Sequence, residues 1–208
     1  MKYKLAIFDF DGTLANSFPW ALSIVDEMAE KYRLNKVDLS EIETFRGYDA
    51  KKLAKHYGVR WWKLPAMVKD ARALMARDAH KIALFEGVSE LLQELSKAGL
   101  RLALVTTNSL ENVQKIIGPE NFSLFSYYEC GASVFGKKNK FKKILRKSGL
   151  LPEETICIGD EIRDIQAAQK VKISAGAVAW GYTTVEALAA CAPDQIFFSI
   201  DEIAQKII

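Results

Sequence analysis

Short, nearly continuous apolar runs alternate along this chain with helical stripes, and that alternation leaves few folds open. Residues 3–8, 100–105, 127–130, 155–158, 174–179 and 195–198 are apolar or β-prone. Runs without polar alternation are the composition of parallel strands buried on both faces. Between them, residues 88–97 carry Val88, Leu91, Leu92 and Leu95 on one stripe, with Gly99 as a stop. Helical patterns follow at 141–147, 162–170, 185–190 and 201–208. The repeating strand-helix order predicts an α/β fold, a doubly wound, Rossmann-like parallel sheet with helices on both faces.

The exception is the stretch from Ala15 to Ala83, where helical periodicity appears at Ala21, Leu22, Val25, Met28 and Ala29, at 53–57 and at 67–75, without a convincing strand. The expectation is an all-α cap, residues 15–83, inserted after the first strand into a core domain of residues 1–14 and 84–208. An insert leaving at that point belongs over the carboxyl ends of the strands, where such sheets bind ligands. Trp61-Trp62 is expected to pack within the insert rather than stack on a ligand.

Composition narrows the function. The 208 residues carry 29 Lys plus Arg against 26 Asp plus Glu, a formal net charge of +3, too small for a nucleic-acid binder unless locally clustered. The one cluster, Lys137, Lys138, Lys140, Lys142, Lys143, Arg146 and Lys147, reads as a solvated helix face. Three scattered cysteines, Cys130, Cys157 and Cys191, argue against a disulfide framework and for a reducing cytoplasm. His56 and His80, the only histidines, are expected at the surface or in packing. No window approaches the roughly 18 to 20 apolar residues that cross a bilayer, and the first apolar run ends too early for a secretion signal. The chemistry is therefore expected to run on carboxylates.

The first strand ends in Asp9-Phe10-Asp11-Gly12-Thr13. Carboxylates at i and i+2 of an extended chain project to one side, and Gly12 permits a sharp turn that brings backbone N–H groups near an anion. Two crowded carboxylates at the end of a buried strand need a cation or a shared proton. A second cluster, Gly159-Asp160-Glu161-Ile162-Arg163-Asp164, follows the strand ending at Ile158. Both clusters lie at carboxyl ends of parallel strands, so they can meet, and an open site of oxygen ligands suits Mg²⁺.

Asp9-Phe10-Asp11-Gly12-Thr13, Thr106, a downstream lysine and Gly159-Asp160-x-x-x-Asp164 resemble the four motifs of the haloacid dehalogenase-like hydrolase superfamily. The helical insert is similar to the small α-helical cap of its phosphoglycolate phosphatase-like members. The resemblance implies a Mg²⁺-dependent phosphatase of a small phosphate monoester, with Asp9 as nucleophile and Asp11 as acid and base. It also implies that Mg²⁺ is held by Asp9, Asp160 and the Asp11 carbonyl, with Asp164 orienting its waters. Thr106 would present its hydroxyl to the phosphoryl oxygens, with Gly12, Thr13, Thr107 and Asn108 as further contacts. Gly136-Lys137-Lys138-Asn139-Lys140 departs from the Lys-Pro-x-Pro form of many relatives. Lys137 is preferred there, because it follows Gly136 before a helix and can reach both phosphate and Asp9; Lys138 and Lys140 are the alternatives.

Arg46, in a break between insert helices, is the candidate for a substrate carboxylate or second phosphate. A phosphomutase of the same fold would use the same residues. A carbon-halogen hydrolase would not need Asp11, and a non-enzymatic phospho-aspartate switch would not poise that acid for hydrolysis. The expected partner is a small soluble phosphate ester, with no nucleic acid and no membrane.

Overall fold

The computed structural model describes residues 2–36, 38–131 and 136–208. Six strands, β1 (Leu5–Phe8), β2 (Arg101–Val105), β3 (Phe125–Glu129), β4 (Thr155–Gly159), β5 (Ser174–Val178) and β6 (Gln195–Phe197), form one sheet. Their order is β3-β2-β1-β4-β5-β6, and every pairing is parallel. The expected doubly wound sheet is therefore the observed one. Phe8 pairs with Leu104 on one side and Ile158 on the other, so residues just past the ends of β1, β2 and β4 converge at the point where strand order reverses.

Side-chain alternation along β1 divides the core. Ala6 and Phe8 enter one apolar cluster with Leu91, Leu92, Leu95, Leu102 and Leu104. Leu5 and Ile7 enter another with Phe141, Ile144, Ile165 and Leu188. The helices that cover these faces are α6 (Val88–Lys97), α7 (Leu110–Ile117), α8 (Pro119–Ser123), α9 (Lys137–Ser148), α10 (Ile162–Gln169), α11 (Val185–Ala189) and α12 (Asp201–Ile207). Helix α9 begins at Lys137, ahead of the stripe read from Phe141, because its first turn is basic and hides its periodicity.

The insert holds α1 (Phe18–Ser23), α2 (Val25–Tyr32), α3 (Ile42–Arg46), α4 (Ala50–His56) and α5 (Leu64–Asp78). Its two ends are stitched together, the Asn16 N–H donating to Ala83 O and the Phe85 N–H to Leu14 O, both at 2.9 Å. Trp61 and Trp62 do not pack inside it: they are 77% and 56% exposed. They fall in the 3-10 turn Trp61–Lys63, ahead of α5, where their rings meet each other edge to face at 5.8 Å. Among the described residues no helix is long and apolar enough to cross a membrane.

Candidate active site

Asp9, Asp160 and Asp164 are brought together by three elements. Asp9 follows β1, Asp160 follows β4 and Asp164 lies in the first turn of α10. Each offers a carboxylate oxygen within 4.8 Å of the others, and all three are buried. Glycine makes this approach possible, since a Cβ at Gly12, where φ is +77°, would lie 2.3 Å from Asp160 Oδ2. One at Gly181 would lie 2.2 Å from Asp160 Cβ. Thr13 Oγ1 donates to Asp160 Oδ1 at 2.7 Å and the Tyr182 N–H to Oδ2 at 2.8 Å. The Asp164 carboxylate accepts the Glu161 N–H at 3.2 Å, closing the start of α10.

Lys137 is the cation of this cluster. Its Nζ lies 2.7 Å from Asp9 Oδ2 and also pairs with Asp164 Oδ1, with all three side chains buried. Burial weakens the Lys137 ammonium, but Asp164 and Asp9 outweigh it and hold the lysine protonated. Lys138 is exposed. Lys140 is turned elsewhere: its Nζ donates to Glu129 O at 3.0 Å and to the carbonyls of Thr106 and Gly131, anchoring the turn after β2.

Three buried carboxylates against one ammonium leave negative charge in excess. Burial, with Glu161 and Asp9 adding to it, raises Asp160 well above the ordinary carboxylate range. Burial raises Asp164 to about 7 against the opposing pull of Lys137. An all-oxygen donor set under such repulsion fits a hard divalent cation.

Asp11 stands beside the cluster without joining it. Its carboxylate accepts Asn108 Nδ2 at 3.1 Å, and burial, then the charge of Asp9, lift it to about 6 despite hydrogen bonds from Ser17 and Asn108. Asp9 joins Asp160 and Asp164 while Asp11 does not, β1 ending at Phe8 and the chain turning at Gly12. Thr106 Oγ1 accepts the Asn108 N–H at 3.0 Å. Gly12 does not present its N–H to an incoming group; it donates to Ala15 O at 2.9 Å. Thr13 spends its hydroxyl on Asp160, and the Thr107 carbonyl accepts from Arg72.

Arg46, which borders a cavity between the insert and the core, is held by acceptors of the protein itself. Its Nε donates to Tyr182 O at 3.2 Å, one Nη to Gly181 O at 2.8 Å and the other to Glu43 at 2.8 and 3.1 Å. The guanidinium thus ties α3 to the loop after β5. Sequence reading missed Ser17, Arg72 and Tyr182, and it offered Lys140 as a phosphate contact where the structure makes it an anchor of backbone carbonyls. Of the three missed, Gly181-Tyr182, past a strand end, carried a signal; Ser17 and Arg72 have no local mark.

Three cavities open around these groups. One of about 240 Å³ has Asp11, Thr107 and Asn108 on the core side and Trp20, Arg72 and Met75 on the insert side. Another of about 570 Å³ lies between Phe18, Phe45 and Leu53 of the insert and Ile162 and Tyr182 of the core. The third, about 300 Å³, is rimmed by Lys137, Lys138, Arg163 and Lys170.

The chain is similar to known proteins in sequence and in fold. The family model described as haloacid dehalogenase-like hydrolase matches residues 6–178. A phosphoglycolate phosphatase of Synechococcus elongatus is 27% identical over 202 residues, covering 97% of this chain and 95% of the relative. One of Aliivibrio fischeri is 28% identical over 207 residues, covering 93% and 91%. Among solved structures, a haloacid dehalogenase-like hydrolase of Streptococcus pneumoniae superposes with a TM-score of 0.82 at 23% identity, over 100% of this chain and 99% of that one. CbbY of Rhodobacter sphaeroides, solved with phosphate, gives 0.73 at 24% identity, over 97% and 96%.

Proposed function

This chain belongs to the haloacid dehalogenase-like hydrolase family, and we propose that it is a Mg²⁺-dependent phosphatase of small phosphate monoesters, working through an aspartyl-phosphate. The observation that carries the reading is the buried group of Asp9, Asp160 and Asp164 with Lys137 across it. The relatives named phosphoglycolate phosphatase support a substrate of that size.

In this reading an Asp9 carboxylate oxygen attacks phosphorus in line, and the bond from phosphorus to the ester oxygen breaks. Lys137 neutralises charge on Asp9 and on the incoming phosphoryl oxygens. Asp11, a carboxyl lifted to about 6, gives its proton to the departing alkoxide. It then takes one from the water that attacks the aspartyl-phosphate and frees Asp9. Asp160, fixed by Thr13 and the Tyr182 N–H, would hold Mg²⁺ together with Asp9, with Asp164 beside them. Bound there, Mg²⁺ would screen the repulsion between phosphate dianion and carboxylates. Thr106 and Asn108 would face the phosphoryl group from the end of β2, and residues 15–83 would form the cap over the site.

The test is release of inorganic phosphate from p-nitrophenyl phosphate and a panel of small metabolite phosphates, with Mg²⁺ and with EDTA, alongside Asp9→Asn. Turnover is expected to need both Mg²⁺ and Asp9. Turnover that survives in Asp9→Asn sinks the covalent reading.

A further inference from the structure

Arg72 lies on α5, where the insert meets the turn after β2. Its guanidinium donates to the Thr107 carbonyl, and its own carbonyl accepts Asn112 Nδ2 at 3.0 Å. Asn112 Nδ2 also donates to Asn108 Oδ1 at 3.1 Å, and Asn108 holds Asp11. Arg72 and the carboxyl that would protonate the leaving group therefore line one cavity of about 240 Å³, joined by a single polar chain. Its remaining insert walls, Trp20, Val68, Ala71 and Met75, are largely apolar.

The donors of Arg72 are not used up. Its Nε is buried and has no hydrogen-bond acceptor among the described residues. A guanidinium N–H shut from water without an acceptor is unfavourable, and a neutral carbonyl takes little of what the planar fork offers an anion. Nearby acids do not supply the missing acceptor. Asp78 is taken by Arg77 at 2.8 Å, Lys81 at 3.0 Å and Trp20 Nε1 at 3.3 Å, and Glu161 is paired with Arg163. Arg46, by contrast, has acceptors on Nε and on both Nη atoms.

We infer that Arg72 is the specificity-determining residue of the leaving-group side, binding an anionic group, a carboxylate by the shape of the fork, on the small alcohol portion of the ester. The inference rests on the phosphatase reading for the direction in which substrate lies, with phosphorus at Asp9 and the alcohol towards Asp11. Closing this contact moves the guanidinium from the Thr107 carbonyl onto the ligand, so α5 docks on substrate rather than on bare backbone.

Calorimetric titration with phosphonoacetate and with ethylphosphonate, in Mg²⁺, tests it without turnover. The intact protein should bind the carboxylate-bearing ligand about tenfold or more tightly. Arg72→Gln should erase that preference while leaving ethylphosphonate within about twofold, and Arg72→Lys, a point charge without the fork, should keep part of it. Equal affinities in the parent, failure of the parent to bind either ligand, or equal weakening of both in Arg72→Gln would overturn the assignment. Turnover of 2-phosphoglycolate and ethyl phosphate reads the hydrolysis premise separately. Selective binding without phosphate release from either ester would remove the phosphatase reading and leave the role of Arg72 standing.

Discussion

Asp9 and Asp11 are two positions apart and meet different surroundings, because β1 ends between Phe8 and the turn at Gly12. Asp9 faces Lys137 across 2.7 Å, while Asp11 is held by Asn108. The proposed division of labour predicts a leaving-group signature. Asp11→Asn, which keeps the shape of the side chain, should slow alkyl phosphates by about 10²- to 10⁴-fold through loss of the acid. A nitrophenolate needs no proton to leave, so p-nitrophenyl phosphate should still load Asp9 and then stall for want of a base. Rapid-quench kinetics should show a burst of about one nitrophenolate per chain. Loss of both substrates in equal measure, without a burst, would take the acid-base role from Asp11. The motif showed where these acids sit; the partner of each followed from the chain's course beyond the strand, which no spacing rule reaches.

At the scale of elements, α9 shows how much a charge run conceals. The seven basic residues read as one solvated face, yet Lys137 and Lys140 are buried at the start of the helix. Lys143 and Lys147 reach Glu129, at the end of β3, at 2.9 and 2.8 Å. Burial pushes the Glu129 carboxyl up, but Lys147 and Lys143 outweigh it and hold the group below its ordinary value. A carboxyl lowered in the folded state adds stability above its unfolded pKa of about 4.3, and loses it as pH falls through the folded value. Glu129→Gln should therefore cost about 1 kcal/mol near neutrality, a melting point lower by roughly 2–4 °C. The gap between parent and variant should narrow as pH falls below about 4.3 and close below the folded value. A gap unchanged in acid would show that packing, not charge, holds α9 against β3.

For the whole molecule, the cluster of acids joins elements far apart in the chain, so occupancy by a cation should stabilise the entire fold. At about 100 times its dissociation constant a ligand adds about 2.7 kcal/mol. Mg²⁺ should then raise the melting point by roughly 5–10 °C in a chain of this size, reversibly with EDTA. Asp160→Asn should remove most of that shift while lowering repulsion in the metal-free protein. A shift of equal size in Asp160→Asn would place the cation elsewhere.

Strand order in the chain, the helices between most strands, the helical character of the stretch after β1 and the acids past β1 and β4 were legible in the sequence, whereas the extents of α7 and α8, between β2 and β3, were not read. Each legible feature is written in local periodicity or in the residues next to a strand end. Tertiary structure alone decided which lysine of the Gly136–Lys140 run lies on Asp9, that Arg46 is tied to Gly181, Tyr182 and Glu43, and that Arg72, with a donor unused, lines the same cavity as Asp11. It also decided that Trp61 and Trp62 face outward. The physical reason is common to these cases. A long side chain's partner depends on which face of its helix meets the core and on which acceptors other donors have already taken, and both are settled only when distant segments pack.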